Sequence, residues 1–563
     1  MWMRSESKYS HRAMNPSRRR EFLSSLGAFA LLPTLREEAE LVLHNGNILT
    51  MDPGQPRAQA VAVAGGRFIA VGSDTDVLNL ASARSRRIDL GGRTAVPGFI
   101  DAHSHPASAG YAHLKQVDCA LDTIGKILDV LRERSARTPP GEWVLGFKYD
   151  DTKTAEGRFL TRDDLDTVST AHPVYVQHRG GHTAYVNSKA FEKAGITDKT
   201  PDPEGGRFYR DQAGRLTGRV AERASDVLER IIPDALTRDE RRQGVKLIGQ
   251  MMSRTGLTSV TDAGGSPDDL AAYQDARETG ELPVRVYCHL RVGHLDRMLA
   301  AGVRTGLGDE WVRVGAVKLV CDGSISERTA RLAEPYVGRP NDRGILVTPE
   351  PALYESAMKA HEAGWQIGVH ANGDEAIDLV LRVFERIQRE RPRRDPRFRL
   401  EHGTMITDGL VRRIAALGAI PTPFSTYVYW HGEKMKEYGA ERLDRMFALR
   451  SFIDAGIRPT QASDYPPGPF EPMMALQSEV TRTDTKGNVW GPRQRVTVDE
   501  ALRVGTLNGA YASFEERLKG SIEAGKLADL VVLGRDPLRE DPSSLVRIPV
   551  QGTMLGGRWV FEA

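Results

Sequence analysis

The sequence predicts an α/β protein whose central part, 96–519, is a parallel (β/α)8 barrel of the TIM type. Short apolar segments alternate there with amphipathic segments of helical periodicity, such as 353–363 and 376–389. This alternation is typical of parallel strands joined by crossover helices. Eight strands are predicted, and they end at Asp101, Asp262, Leu290, Val320, His370, His402, Thr422 and Ser463.

Both ends of the chain are rich in strands without intervening helices. Residues 60–71 predict a tight hairpin around a Gly-Gly pair, because two β-rich runs flank it. Segments 528–533 and 550–560 near the other end are also β-rich runs without helical periodicity between them. We therefore expect 41–95 and 520–563 to pair in space as one small β-domain.

The first and second predicted barrel strands are too far apart for a single crossover. About 160 residues separate Asp101 from the end of the second strand, whereas a crossover usually holds one helix. We therefore expect an insertion into the barrel at about 107–233.

Residues 1–40 are typical of a targeting signal and not of a folded domain. Arg-Arg-Arg-Glu-Phe-Leu at 18–23 precedes a modest apolar run and resembles a twin-arginine export signal. This predicts a periplasmic or otherwise extracytoplasmic location, with the twin-arginine export machinery as a partner. The alternative is a basic, disordered tail on a cytoplasmic protein.

Composition excludes several classes of protein. Of the 563 residues, 77 are Lys or Arg and 75 are Asp or Glu, so the net charge of +2 gives no basic surplus for nucleic acid. No apolar run approaches the roughly 18 residues of a membrane span. The cysteines Cys119, Cys288 and Cys321 are too few and too scattered for a disulfide framework.

The first predicted barrel strand carries a His-Ser-His motif. Side chains alternate along a strand, so His103 and His105 project from the same face. If that face is the barrel interior, both imidazoles lie near the C-terminal mouth, where active sites of such barrels lie. Neutral imidazoles suit a divalent metal such as zinc.

Three further strand ends each carry one side chain that can bind a metal ion. His370 and His402 end the fifth and sixth predicted strands, and Asp464 directly follows the eighth. Because the ends of barrel strands meet at one mouth, we expect these three side chains to gather near the His-Ser-His motif. The sequence therefore predicts a divalent metal site.

The fourth predicted strand places Lys318 inside an apolar run. A buried lysine is costly unless it is neutral, paired or chemically changed. A neutral amine can react with CO2 to give a carbamate, which can bridge two metal ions. The alternative is an ordinary lysine that pairs with a carboxylate. Cys321 lies three positions further and faces the other way, so we interpret it as a packing residue.

Several motifs together resemble one family. The His-Ser-His strand, the later histidines, Asp464 and the closing segment 520–530 are similar to the amidohydrolase superfamily. More narrowly, four segments resemble the YtcJ-like amidohydrolases, a branch that includes an N-substituted formamide deformylase. These segments are Gly-His-Thr-Ala-Tyr-Val-Asn-Ser at 181–188, Asp-Pro-Glu-Gly-Gly at 202–206, Asp-Gly-Ser at 322–324 and His-Ala-Asn-Gly-Asp at 370–374.

The resemblance implies a metal-dependent barrel, a β-sandwich made from both chain ends, and an insertion that carries the Gly-His-Thr segment. Two residues depart from the family pattern: Glu327 stands where a small residue is expected, and Asn372 where an apolar residue is usual. Both lie near the expected mouth, so they bear on substrate preference.

The same resemblance implies a ligand set for one or two ions, with zinc as the expected metal. His103 and His105 would bind the more buried ion and His370 and His402 the more exposed one. Lys318, carboxylated on its side-chain nitrogen, would bridge the two. An unmodified Lys318 would leave a site for a single ion.

The implied activity is hydrolysis of a non-peptide amide C–N bond in a small-molecule substrate by a metal-bound hydroxide. Asp464 would orient the water, accept its proton and deliver that proton to the leaving nitrogen.

The loop at 180–183 supplies a further candidate catalytic residue. His182 could bind the substrate carbonyl or stabilise an oxyanion, or it could hold its own loop in place. Arg179, Tyr185, Asn187 and Asp322 are candidate substrate-binding residues.

Two alternatives stay open at this point. The same metal hydroxide could act on a lactone or a phosphotriester, because loops and not the fold set specificity. The barrel could also be inactive and serve as a binding or regulatory protein, although its complete set of metal-binding side chains argues against this. A homodimer is also left open.

Overall fold

The computed structural model describes residues 38–234 and 236–563, so the expected export signal lies outside the described residues. Seven parallel strands form a nearly closed barrel sheet in which spatial order follows chain order. Every neighbouring pair is parallel, as the sequence predicts. The strands are Phe99–Ser104, Leu257–Gly265, Arg285–Arg291, Val312–Val320, Ile367–Ala371, Arg399–His402 and Ile420–Thr422.

An extended segment at 460–464 takes the place of the eighth predicted strand, so the expectation of a regular strand ending at Ser463 is wrong. The segment makes a single parallel bridge, from Ala462 to Phe424. It still closes the barrel, because the N–H of Ala102 donates to the carbonyl of Gln461 at 2.9 Å. Asp464 then leaves regular strand geometry at a φ of 55° and is followed by two prolines, which explains the short ladder.

Helices cover the outside of the barrel. The long amphipathic helix Asp374–Glu390 buries its apolar stripe against the sheet, and Glu350–Glu362 lies beside it, close to the bounds predicted from periodicity. The other helices around the barrel are Pro106–Lys115, Arg238–Ser253, Pro267–Glu278, Leu295–Ala300, Asp408–Leu417, Leu449–Asp454, Pro472–Thr481, Val498–Val504 and Leu507–Ala512. Short helices near the mouth are Tyr427–His431, Gly432–Tyr438 and Ala440–Leu443. Within the described ranges, no helix has the length and apolar character needed to cross a membrane.

The chain ends build two sheets at the bottom of the barrel. The predicted hairpin forms as Ala60–Ala64 and Arg67–Gly72, with both turn glycines at positive φ. That sheet continues with Ala39–His44 and Ala81–Asp89, and the helix Asp74–Leu78 packs on it. The other sheet contains strands from both chain ends: Asn47–Leu49, Arg57–Ala58, Thr94–Pro97, Leu530–Leu533, Val550–Leu555 and Arg558–Glu562.

A separate six-stranded sheet interrupts the barrel after its first helix. The helix Pro106–Lys115 packs against Arg238–Ser253 as a barrel helix, so the inserted sheet begins later than the sequence predicts, at Val117. Its strands are Val117–Asp118, Val144–Tyr149, Val174–His178, Thr183–Val186, Gly206–Arg210 and Leu216–Glu222. Its helices are Ile124–Ser135, Arg162–Asp166, Ser188–Ala194 and Arg223–Glu229. The sheet brings the loop 179–182 to the barrel mouth.

Candidate metal centre and active site

Three predicted ligands meet at the C-terminal mouth of the barrel. The Nε2 atom of His103 lies 3.3 Å from Asp464 Oδ1, and that of His105 lies 3.1 Å from the same oxygen. These three atoms lie within 4.8 Å of one another, which is a spacing that one metal ion can span. The N–H of Asp464 donates to the carbonyl of His103 at 2.7 Å, so the segment 460–464 itself holds the Asp464 carboxylate close to the two histidines.

A buried carboxylate that the sequence did not single out holds the first of these ligands. Glu401 Oε2 lies 2.5 Å from Nδ1 of His103, so the His103 Nε2 atom is left to face Asp464. Arg399 and Thr422 each donate to Glu401, both at 2.7 Å. A carboxylate in this position fixes the tautomer and raises the basicity of a metal-binding imidazole. The signal in the sequence was strand parity, because Arg399 and Glu401 share the inward face.

Two more imidazoles continue from His103 along the mouth. The ring of His402 lies 4.6 Å from that of His103, and the ring of His370 lies 4.6 Å from that of His402. Glu401 and His402 are neighbours, so a regular strand would turn them to opposite faces. A φ of 76° at His402 breaks this alternation and lets both side chains approach His103. Phe424 stacks on His402 at 4.3 Å and forms part of the wall.

Lys318 lies beside the same ligands. Its side chain comes from the fourth barrel strand, and its Nζ atom is 3.2 Å from His103 Nε2. Burial lowers the pKa of Lys318 to about 8, which increases the neutral fraction of the amine. Cys321 points away, with its thiol toward the carbonyl of Ala376, and its packing role is confirmed.

The charge states of the ligands suit a cation. Burial opposes ionisation of Asp464, but the adjacent imidazoles of His103 and His105 hold the pKa of its carboxyl well below the ordinary value. Burial lowers the pKa of His105 to about 4 and lowers those of His370 and His402 well below the usual range. Neutral imidazoles and an ionised carboxylate are the forms that bind metal.

Asp322 and Asn372 hold the backbone around His370. Asp322 accepts the N–H groups of Arg331, Asn372 and Gly373, at 2.8, 2.9 and 2.9 Å. The Asn372 amide donates to the carbonyl of Gly323 and accepts from the Thr404 hydroxyl. These bonds explain why a polar residue is tolerated at 372, where the family pattern has an apolar one. They also show Asp322 bound to the backbone and not facing open space.

His182 stands against the ligand group from the inserted sheet. Its ring lies 4.8 Å from that of His370, and its Nδ1 atom is 2.8 Å from Glu222 Oε2. Burial opposes protonation, but the Glu222 carboxylate raises the pKa of His182 to about 9. The His182 carbonyl accepts from the N–H of Glu222 at 2.8 Å. Sequence reasoning missed Glu222, since nothing local marks a residue 40 positions away as a partner.

Glu327 explains the second departure from the family pattern. Its carboxylate accepts the backbone N–H of His182 at 3.2 Å and lies 3.2 Å from Nδ1 of His178. Gly180 is required beside it, because a Cβ there would lie 1.8 Å from Glu327 Oε1. The larger residue at 327 therefore supports the loop that carries His182.

Two of the candidate substrate-binding residues lie elsewhere, and their expected pocket role is corrected. Asn187 caps the helix Ser188–Ala194, and its amide donates to the carbonyls of Ser169 and His172. Tyr185 is buried in the core of the inserted sheet. Both side chains stabilise the insertion. The strand Thr183–Val186 follows the loop at the mouth, but its own side chains pack within the inserted sheet and do not line the site. Arg179, by contrast, reaches the loop after Asp464, where its Nη1 donates to the carbonyl of Pro466 at 3.1 Å.

A second cluster of side chains has ligand atoms close enough to bind one metal ion, but its negative charges are already neutralised by cationic side chains. Asp150, Asp151 and His178 lie close together in the inserted sheet. However, Lys434 Nζ is 3.0 Å from Asp150, and Arg328 is 3.4 Å from Asp151. These cations take the place that a metal would occupy, so we interpret the group as an ion network between the insertion and the barrel loops.

The donor set at the mouth fits a divalent cation. Asp464 Oδ1 and His402 Nδ1 are both buried without a hydrogen-bond partner among the described residues. Buried polar atoms are rarely left unpaired unless an ion or water binds them. Imidazole and carboxylate ligands at a barrel mouth define the class of metal-dependent hydrolases.

Comparison with known proteins agrees with this geometry. A model described as "Amidohydrolase family" matches residues 86–561, and the chain belongs to this family, in its YtcJ-like branch, as the sequence analysis predicted. It is a metal-dependent hydrolase of carbon–nitrogen bonds.

Relatives of nearly full length support this assignment. The chain is 32% identical to "N-substituted formamide deformylase" of Arthrobacter pascens, over 93% of this chain and 98% of that protein. It is 30% identical to "Putative amidohydrolase YtcJ" of Bacillus subtilis (strain 168), over 92% of this chain and 99% of that protein. An uncharacterized metal-dependent hydrolase from Pyrococcus furiosus superposes with a TM-score of 0.69 at 26% identity, covering 89% of this chain and all of that one.

Proposed function

We propose that this enzyme hydrolyses the amide bond of a small non-peptide substrate, with zinc as its metal. The observation that carries the proposal is the approach of His103, His105 and Asp464 to one point at the barrel mouth, with His370 and His402 beside them. The similarity to a formamide deformylase favours an N-acyl or N-formyl amide over a lactone or a phosphotriester.

In this proposal water is activated at the metal, Asp464 transfers the proton and Glu401 orients His103. When bound, a divalent metal polarises a carbonyl oxygen and lowers the pKa of a water molecule toward about 7. Asp464 Oδ1 accepts the proton of the attacking water and returns it to the leaving nitrogen, because the ionised carboxylate is unpaired and central. Glu401 holds the His103 ring so that its Nε2 faces the centre.

His182 would bind the substrate carbonyl oxygen. Its Nδ1 is held by Glu222, and its ring lies against His370, at the edge of the ligand group. The Glu222 carboxylate is a counter-ion for the protonated imidazole, so the opposite ring nitrogen can donate to an oxygen that gains negative charge.

We also propose that Lys318 is carboxylated and bridges two ions. The short distance to His103 and the lowered pKa of the amine support this, because only a neutral amine reacts with CO2. A high-resolution map that shows bare lysine and one ion would contradict the binuclear centre and leave the hydrolase proposal standing.

Metal analysis combined with an amide-hydrolysis screen tests the function. We expect the purified enzyme to hold stoichiometric metal and to release amine from N-formyl or N-acyl amines. Asp464→Asn should lower kcat by roughly 10²–10⁴-fold, because it removes the general base. The surface variant Asp129→Asn is the control and should match the wild type. Stoichiometric metal with turnover only of lactones or phosphotriesters, or with no turnover, would reject the proposal.

A further inference from the structure

Arg179 presents an unpaired guanidinium at the entrance to the metal centre. It lies three residues before His182, and its side chain is half-buried. Its Nη1 donates to the carbonyl of Pro466, two residues after Asp464. Its Nε is buried and has no hydrogen-bond partner among the described residues. The guanidinium therefore lies between the His182 loop and the Asp464 loop, and it has N–H donors that no described residue accepts.

No carboxylate of the described residues lies within 4.0 Å of this guanidinium. The acidic groups that influence it from further away include Asp118 and Asp150, but these are bound to Lys148 at 2.6 Å and to Lys434 at 3.0 Å. Glu471 also lies nearby, beyond ion-pair distance. A half-buried charge that is left without a partner is costly, so a partner from outside the chain is expected.

Two arginines of the inserted sheet show the carboxylate pairing that Arg179 lacks among the described residues. Arg158 binds Asp164 through two nitrogens, and Arg215 binds Asp163 in the same way. These pairs lie on the outer surface, where the pairing contributes little. Arg179 is more enclosed than they are, yet it lacks this compensation.

A second unpaired guanidinium flanks the centre from the barrel side. Arg291 ends the third barrel strand, and its Nε donates to the carbonyl of Gly264 at 2.9 Å. Gly264 lies beside His105, since a Cβ on it would be 3.0 Å from that ring. Tyr465 accepts from the backbone N–H of His105 on the other side, next to the Arg179 contact. Arg291 thus lies close to His105, and Arg179 contacts the loop that follows Asp464; neither has a carboxylate partner in the described part of the chain.

We infer that the substrate carries a carboxylate that Arg179 binds, so that its class is an N-acylated amino acid and not a neutral amide. This rests on the proposed function. A guanidinium recognises a carboxylate through two parallel hydrogen bonds, which fixes orientation as well as supplying charge. Arg291 adds to the positive potential that draws the anion to the mouth. The scissile amide then lies between His182 and Asp464, within reach of both loops.

The test compares N-formyl and N-acetyl amino acids with the matching N-acylated amino alcohols, in which CH2OH replaces the carboxylate. We expect the wild-type kcat/KM for the acid to exceed that for the alcohol by about tenfold or more, which is the scale of one charged hydrogen-bonded contact. Arg179→Gln should bring this ratio close to one, and Arg179→Lys should fall between, because an ammonium lacks the bidentate geometry. Arg215→Gln is the matched control and should keep the wild-type ratio.

Equilibrium binding gives a second measurement that needs no turnover. Calorimetric titration of the metal-loaded enzyme with N-acetyl amino acids should show tighter binding than with the amino alcohols, and Arg179→Gln should remove the difference. A ratio near one in the wild type, or one that survives in Arg179→Gln, would overturn the inference. Hydrolysis of neutral amides with no preference for acids would reject the inference alone. Absence of any amide hydrolysis, with carboxylate-selective binding intact, would reject the proposed function alone.

Discussion

Two histidines of the candidate site are each held by a buried carboxylate. Glu401 binds Nδ1 of His103, and Glu222 binds Nδ1 of His182. Both carboxylates have further donors, from Arg399 and Thr422 on one side and from Thr329 on the other. In each case the carboxylate selects the ring orientation, so the other nitrogen faces the mouth. The two carboxylates differ in what they serve, because only His103 belongs to the expected metal ligands.

Removing the charge of Glu222 should weaken catalysis without unfolding the protein. Glu222→Gln keeps the shape of the side chain and a hydrogen bond to His182 but loses the counter-ion, so we expect kcat to fall about tenfold. His182→Ala should cost about a hundredfold, as loss of one oxyanion donor does. The double variant should resemble His182→Ala, since the two residues act as a unit. Steady-state kinetics of the four proteins measure this coupling, and additive losses would show that Glu222 acts elsewhere.

At the residue scale, the sequence indicated the candidate ligands but not the residues that orient them. His103 and His105 follow from strand parity, and His370, His402 and Asp464 follow from their places at strand ends. Strand parity places Glu401 on the inward face but does not show that it binds His103, which lies 298 residues away. No local pattern links Glu222 to His182, which lies 40 residues away. Tyr185 and Asn187 lie in a motif that resembles the family, yet their side chains pack inside the insertion.

The helix Pro472–Thr481 carries an acid that its surroundings do not pair. Glu479 is buried beside Phe424, the residue that stacks on His402, and neither carboxylate oxygen has a hydrogen-bond partner in the described ranges. Burial raises the pKa of Glu479 to about 8. Between its ordinary value of 4.5 and about 8, the folded state therefore holds a proton that the unfolded state has lost.

This difference makes stability depend on pH in a defined direction. The contribution of Glu479 to the free energy of unfolding should fall as pH rises from about 5 to 8, because the folded state binds more protons there. Glu479→Gln should leave stability near that of the wild type at pH 5 and raise it by roughly 2 kcal/mol at pH 8. Denaturant unfolding at both pH values measures the difference, with the exposed Glu355→Gln as control. An equal effect at both values would contradict the expected ionisation.

At the element scale, periodicity predicted the strands and long helices well, and the ends of strands less well. The helices Glu350–Glu362 and Asp374–Glu390 follow directly from their apolar stripes. The eighth barrel position did not form a regular strand, since Asp464 turns to positive φ to reach the site. His402 does the same one position after Glu401. Such turns depend on the requirements of the mouth and leave no periodic signal.

At the scale of the whole molecule, a buried ion pair connects the barrel with the C-terminal segment 520–563. Arg285, on the third barrel strand, donates to Asp529 through two nitrogens at 2.7 and 2.9 Å. Asp529 also accepts the N–H of Gly556, and its own carbonyl accepts that of Gly98. These contacts connect a central strand with both ends of the chain.

Breaking this pair should destabilise the protein more than any surface change. Asp529→Asn leaves the Arg285 guanidinium buried without its counter-ion, so we expect a loss of about 3 kcal/mol in the free energy of unfolding. Thermal unfolding of the metal-loaded enzyme measures it, and activity at low temperature should be close to normal because the site lies at the opposite end of the barrel. Asp129→Asn, which breaks an exposed pair with Arg132, should change stability by less than about 0.5 kcal/mol. An equally small effect of Asp529→Asn would show that the pair is replaceable.

By itself, the sequence determined the parallel barrel, the family and the candidate metal-binding side chains, because these depend on period, spacing and the chemistry of each side chain. Only the tertiary structure decided which residues orient those side chains, how the insertion reaches the mouth and that Arg179 has no carboxylate partner within ion-pair distance among the described residues. The physical reason is distance along the chain: strand parity acts over two residues, whereas a hydrogen bond such as that between His103 and Glu401 exists only once the barrel has closed.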